Sequence, residues 1–423
     1  MIEGSVQAID SEPDETAPQT ETPTKRRSFK TYAWLICAAV FLIVSRGMID
    51  FNSPDYAGFD LHFYRQIAIA SPHLSPDVSA PFAYRLLGPY IVGLLPMPDP
   101  LAFRLVDSIA CLALVILFYR LLVDQGIHSG VAFVAVLLFA CNRYFFGMII
   151  WDAFRIDDVL ALVCLVVSLM LLFRKRWVGF AVCFALGCLT REVVMILIPV
   201  SFVYLWEEGT LRHEYKKWIA AIVPALAVFI LVRMFVYADD VRMGVTGILP
   251  YYQMKFGESI GNALSKHAWF RRLIWSFMPF TFLPFIFPRT TISFFWRRKY
   301  VLLFFVLVII TDLWGIDHGG GDAERQMAPA FLPFFWLIAM LLQQELSDVN
   351  WALPAILGGG YLSSLHHLQG IYPLPNKLAT LLVTVVAVVE ILAVAIYVKR
   401  RGRRSEPVAG EEVGTTQSPT LPR

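Results

Sequence analysis

A chain of 423 residues with 57% hydrophobic and only 16% charged residues has too little polar surface to close as a soluble globule. Its 36 basic and 33 acidic residues leave a net charge of +3, which gives no basis for a nucleic-acid partner. The composition is that of an all-α, polytopic bundle of transmembrane helices whose dispersed basic clusters suit contact with membrane lipids.

In chain order, residues 1–30 read as a disordered cytoplasmic tail, acidic and Pro/Thr/Glu-rich up to Thr24. The first apolar stretch, Tyr32 to Val44, follows Lys25-Arg26-Arg27 and lacks a nearby small-residue cleavage site, so it reads as a signal anchor. Apolar runs predict about 12 spans, near 31–49, 102–123, 130–150, 157–173, 177–190, 193–206, 216–237, 271–288, 299–316, 327–343, 351–368 and 376–398. Residues 86–96 are too short to cross and are assigned to a re-entrant or surface helix. The run 177–206 reads as a hairpin bent at Thr190-Arg191-Glu192, which keeps the basic residues before and after it on one side. Two long loops, 50–101 and 238–270, fall on the other side, and 399–423 forms a basic cytoplasmic tail. This divides the chain into a transmembrane module over 31–237 that includes the loop 50–101 and a C-terminal transmembrane region over 238–398 that includes the loop 238–270. The six cysteines all lie within apolar segments without zinc-site spacing, and read as small buried hydrophobes.

The charges between the runs alternate. Arg174-Lys175-Arg176, Arg212 with Lys216-Lys217, Arg297-Arg298-Lys299 and Lys399-Arg400-Arg401 occupy one set of gaps. Asp60, Asp152, Asp157-Asp158, Glu192, Asp317, Asp322 and Glu324 occupy the other. The positive-inside bias makes the first set cytoplasmic and puts both termini there. The acids then collect at the outer surface, where a polar reaction centre is expected.

Five constellations stand out. In Gly58-Phe59-Asp60-Leu61-His62-Phe63-Tyr64, a helix would put Asp60 and Tyr64 four residues apart on one face. Asp60 then suits a general base, or simply a helix cap. Arg85, in the Pro81–Pro89 stretch, can hold a phosphate bidentately or reach ordinary headgroups. Asp152, Arg155, Asp157 and Asp158 open a span with more charge than capping needs. Arg191 and Glu192 lie between two apolar arms, where ionised groups must pair or face water. Arg325 closes a glycine-rich stretch with Asp317, His318 and Asp322 and offers a further phosphate contact. No cofactor is expected, although that stretch leaves a divalent metal open.

In this order, the motifs resemble the C-type (GT-C) integral-membrane glycosyltransferases, of a mannosyltransferase-like kind. The resemblance rests on Asp60 and Tyr64 in the first outer loop, Pro81 to Pro89, Ala102-Phe103-Arg104-Leu105, Asp157-Asp158-Val159-Leu160, and Arg191-Glu192 before Ile198-Pro199. It covers roughly residues 31–210. It implies transfer of a sugar from a polyprenyl-phosphate donor to a lipid, glycan or protein acceptor on the non-cytoplasmic face of a bacterial inner membrane, with inversion. It also implies Asp60 as catalytic base, with Asp50 and Asp55 as competitors, and Arg85, Arg191 or Arg325 as phosphate ligands. Many members carry paired acids in that loop, whereas Asp60 is followed by Leu61, which counts against a metal-dependent mechanism. The rival reading is a transporter or flippase of a lipid-linked or polar substrate, for which Asp312 and Glu390 are the midspan acids. A glycan polymerase or ligase is a third.

Overall fold

The computed structural model describes residues 24–52, 60–75, 78, 82–142, 147–236, 273–315, 327–364 and 377–405. Among these residues every regular element is helical and no strand occurs. The helices are α1 (Thr24–Arg46), α2 (Leu61–Ala70), α3 (Leu87–Gly93), α4 (Asp99–Asp124), α5 (Ser129–Ala140), α6 (Met148–Trp151), α7 (Ile156–Phe173) and α8 (Trp177–Cys188). They continue as α9 (Leu197–Glu207), α10 (Leu211–Phe235), α11 (Leu283–Ile286), α12 (Pro288–Trp296), α13 (Lys299–Gly315), α14 (Phe331–Leu341), α15 (Ala352–Ser363) and α16 (Lys377–Ser405).

Among the described residues, five segments are long and apolar enough to cross a membrane: Asp99–Asp124, Ile156–Phe173, Leu211–Phe235, Ala328–Leu346 and Leu381–Arg401. The protein is therefore a multi-pass membrane protein. The remaining apolar helices are shorter. Trp177–Cys188 has 12 residues, a rise of about 18 Å against a hydrocarbon thickness of about 30 Å. The ends of such a helix must be met by protein or by a water-filled cavity.

The packing runs from the inside outward. Every residue of α14 from Phe331 to Ala339 is buried, as expected for a helix surrounded by others. Phe139 and Phe280 meet Phe335 edge-on at 5.6 and 5.7 Å, while Phe277 stacks on Phe334 at 4.2 Å. Helix α7 packs between α4 and α8, and α10 covers α8. On the perimeter the pattern inverts. Val223, Ile230, Leu231 and Met234 of α10 are exposed, as are Leu382, Val385, Val386 and Val389 of α16. Apolar stripes of this kind fit a lipid environment and not water.

The two ends of the bundle differ. At the basic end, the Nε1 of Trp177 donates to Glu214 at 2.9 Å, Arg174 pairs with Asp124, and Lys399 donates to the Ile286 carbonyl. At the opposite end, called here the loop end, α2 and α3 form a second small core. Leu61, Tyr64, Ile67 and Ala68 of α2 pack there with Val92, Phe103, Phe154 and Ile156.

Three expectations are refined. The chain does reverse between α8 and α9, since Gly187 lies against Cys164 midway along α7 and Arg191 pairs with Asp158 at its start, while Tyr204 of α9 meets Phe173 at its end, 4.8 Å between rings. Residues 86–96 contain only the seven-residue α3, too short to cross. The run 271–288 is expected as one span, but its described residues, 273–288, form short helical pieces separated by turns, α11 among them, with α12 beginning at Pro288. Pro279, Pro284 and Pro288 each remove a backbone donor and disfavour helix at the preceding residue.

Helices α2 and α3 approach closely because position 93 is glycine. A Cβ there would overlap the Ala68 carbonyl oxygen and come within 2.7 Å of the Ser71 Cβ. Gly93→Ala should therefore lower the thermal unfolding midpoint, by overpacking of about 1–3 kcal/mol. Gly130→Ala, with nothing within 4 Å, should not. Equal midpoints for both variants in detergent would contradict the α2–α3 contact.

Candidate functional site at the loop end of the bundle

The second core carries a cluster of charged side chains. Tyr64 is fully buried on the inner face of α2. The 3-10 turn Phe82–Tyr84 then delivers Arg85, whose Nη1 donates to the Tyr64 hydroxyl at 3.3 Å. Its guanidinium also lies over the Phe82 ring at 5.4 Å. The turn is anchored by backbone bonds from Leu86 and Leu87 N–H to the Leu189 carbonyl, at 2.9 and 3.2 Å. This places the Pro/aromatic stretch against the bend between α8 and α9.

That bend supplies the counter-charges. Glu192 bridges two arginines, with Arg85 Nη2 at 3.6 Å from one oxygen and Arg233 Nη2 at 3.5 Å from the other. Arg233 comes from the last turns of α10 and sits over the Phe229 ring at 3.5 Å and the Tyr84 ring at 4.9 Å. Burial alone would push the Glu192 carboxyl up, but Arg85 and Arg233 outweigh it and hold it below its ordinary value. Burial pushes the Tyr84 phenol up against the opposing pull of Arg233, so it stays a protonated donor.

Beside this bridge lies a second pair. Arg191 Nη1 donates to Asp158 Oδ1 at 2.5 Å, with the Asp158 side chain wholly inaccessible. Asp157, also fully buried, accepts the Gly88 N–H on Oδ1 at 3.1 Å. A Cβ on residue 88 would lie 2.5 Å from Ile156 Cγ2 and 2.8 Å from that oxygen, so only glycine allows this approach. The other Asp157 oxygen has no hydrogen-bond partner among the described residues.

The structure thus brings Tyr64, Arg85, Asp157, Asp158, Arg191 and Glu192 into one wall. Asp60 is placed at the N-cap of α2, half-buried and one turn from Tyr64, and its side chain makes no capping hydrogen bond. Asp50 is exposed and accepts the Asn52 N–H at 2.9 Å. Asp152 is tied to Arg155 at 3.3 Å. Arg325, Asp55 and the Asp317, His318 and Asp322 group lie outside the described residues. Among the described residues, no three His, Cys, Asp or Glu side chains are grouped to hold a metal ion.

Arg233 and Asp107 were not singled out from sequence, and Arg104 entered only as part of the Ala102–Leu105 motif. Arg233 reads there as an ordinary basic residue near the end of a span. Arg104 donates to the carbonyls of Ile43 and Ile150 and so ties α1 and α6 to α4. Asp107 is completely buried three residues further along α4. Its signal was present, since an acid inside an apolar span needs a reason to be there.

Comparison of the chain with protein-family models, with curated proteins and with solved structures finds no match.

Arg191→Gln should destabilise the fold by about 3–5 kcal/mol, because it strands a buried carboxylate. Adding Asp158→Asn should recover much of the loss in thermal unfolding, and no recovery would show that the pair is not coupled. Glu192 has a depressed folded pKa, so its stabilisation is present above the unfolded carboxylate range and is lost as pH falls through the folded value. Glu192→Gln should accordingly flatten the acid limb of a stability–pH profile; an unchanged limb would contradict the bridge.

Proposed function

We propose that the protein is a membrane glycosyltransferase that moves a sugar from a polyprenyl-phosphate donor to a hydroxyl acceptor on a lipid, glycan or protein, by an inverting reaction at the loop end of the bundle. The observation that carries this reading is the Glu192 bridge, which gathers Arg85 and Arg233 beside Tyr64, one helical turn from Asp60. Each guanidinium has a planar fork of N–H donors that matches phosphate oxygens as well as it matches a carboxylate. A phosphate entering here competes with the Glu192 carboxylate for the two guanidinium groups.

In the reaction, the bond between the sugar C1 and the phosphate oxygen breaks, and the phosphate keeps the electron pair. The acceptor oxygen bonds to C1 from the opposite face, and Asp60 takes its proton. Arg85 and Arg233 stabilise the charge left on the phosphate, which electrostatic preorganisation does best in a site with little water. The lipid chain lies along the exposed apolar faces of the spans. The GT-C architecture, about 12 spans and both termini on the cytoplasmic side of an inner membrane belong to the same proposal. The orientation is supported by the collection of Arg174, Arg297, Arg298 and Lys399 at the end away from Glu192.

The test is turnover of a panel of polyprenyl-phosphate sugars by purified protein in lipid, with candidate acceptors present. Asp60→Asn should bind the donor and lose about 10²–10⁴-fold in kcat, the usual range for a general base. Arg85→Gln should weaken donor binding by about tenfold or more. Full activity in Asp60→Asn would move the base to Asp50, Asp55 or Asp157. Movement of a donor across vesicles without turnover would replace the enzyme by a transporter.

A further inference from the structure

A cavity of about 630 Å³ opens at the basic end of the bundle, at the opposite end of α7 from Arg85 and Glu192. It lies among the ends of α4, α7, α9, α12 and α14, and its volume is that of a small-ligand site. Three arginines line it: Arg174, Arg297 and Arg298. Arg174 is committed to Asp124, which Arg120 also approaches at 3.9 Å. Arg297 and Arg298 have no carboxylate within 4.0 Å among the described residues. The Arg298 guanidinium is held by aromatic faces instead, 5.1 Å from the Phe294 centroid and 5.8 Å from that of Trp336. Cation–π contact of this kind fixes the group and leaves its N–H edges available.

We infer that this cavity binds a phosphate ester carrying a free hydroxyl. Arg297 and Arg298 take the phosphate, whose oxygens match the guanidinium fork. Glu208 is the other acid on the wall, and it accepts the ligand's hydroxyl. Ser293 and Gln344 add neutral hydrogen-bonding groups, while Phe173, Tyr204 and Tyr300 form an aromatic floor. With Arg174 and Asp124 cancelling, two cations face one acid, so a singly or doubly charged anion suits the site. A lipid headgroup and a soluble phosphorylated metabolite share this chemistry. The proposal uses none of the residues of the loop-end site and does not depend on sugar transfer.

The experiment uses the full-length protein in zwitterionic detergent and measures saturable binding by calorimetry. One arm uses glycerol 3-phosphate, a second dioctanoyl phosphatidylglycerol, and glycerol is the control. At least one phosphate probe should bind while glycerol does not. Arg297→Gln and Arg298→Gln should each weaken that binding by about tenfold. Lys30→Gln, an exposed residue of α1, should leave it unchanged. Binding of the lipid alone assigns the ligand as a headgroup, and binding of glycerol 3-phosphate alone assigns it as soluble. If loss of the aromatic contacts unfolds Arg298→Gln, the exposed Arg297 variant decides the question. Saturable binding of neither probe, or equal affinity in Arg297→Gln, would overturn the proposal.

Discussion

Ionised groups inside an apolar helix bundle must be paired, and at the loop end this constraint organises much of the structure. Taking a carboxylate or guanidinium out of water costs several kcal/mol, which only close opposite charges and hydrogen bonds offset. Asp158 at the start of α7 cannot reach water, so Arg191 has to come to it. Arg191 can do so only because the chain breaks between α8 and α9. The same break presents Glu192 to Arg85 and Arg233. The bend, the turn before α3 and the end of α10 therefore converge through one requirement.

Backbone contacts carry the rest of the load. The Leu189 carbonyl receives the N–H groups of Leu86 and Leu87, and Gly88 donates to Asp157. Arg104 spends its donors on two main-chain carbonyls, which would otherwise sit at helix ends with fewer partners. These bonds hold the amphipathic α2 and α3 down on the spans. They turn a segment too short to cross into a wall of the cluster.

The basic end is built on a different principle. Its charges sit at helix ends, are more exposed, and rest on aromatic rings as much as on carboxylates. Arg298 against Phe294 and Trp336, and Lys299 against Trp206 at 5.4 Å, are examples. Water screens such contacts, so they shape a surface more than they stabilise a fold. At the loop end the Arg191–Asp158 and Arg155–Asp152 pairs are buried, and Arg85 and Arg233 are nearly so. The contrast follows from accessibility and not from composition.

By itself, the sequence determined the helical class, the position of most helices and the separation of the basic clusters from the acids. Apolar runs and charge alternation are local properties, and membrane insertion reads them directly. Tyr64, Arg85, Asp157, Asp158, Arg191 and Glu192 were legible for the same reason, as polar interruptions in apolar surroundings. Which of them touch was not legible, because their partners lie 21 to 107 residues away in the chain. Arg233 looked like an ordinary end-of-span arginine until α10 packed on α8, and Asp107 passed for part of an apolar run. The break at 271–288 lay in the spacing of three prolines, whose joint effect outweighed an apolar pattern that otherwise reads as a span. Tertiary structure decided the pairing, since a charge chooses its partner by distance and burial, and neither exists before the helices pack.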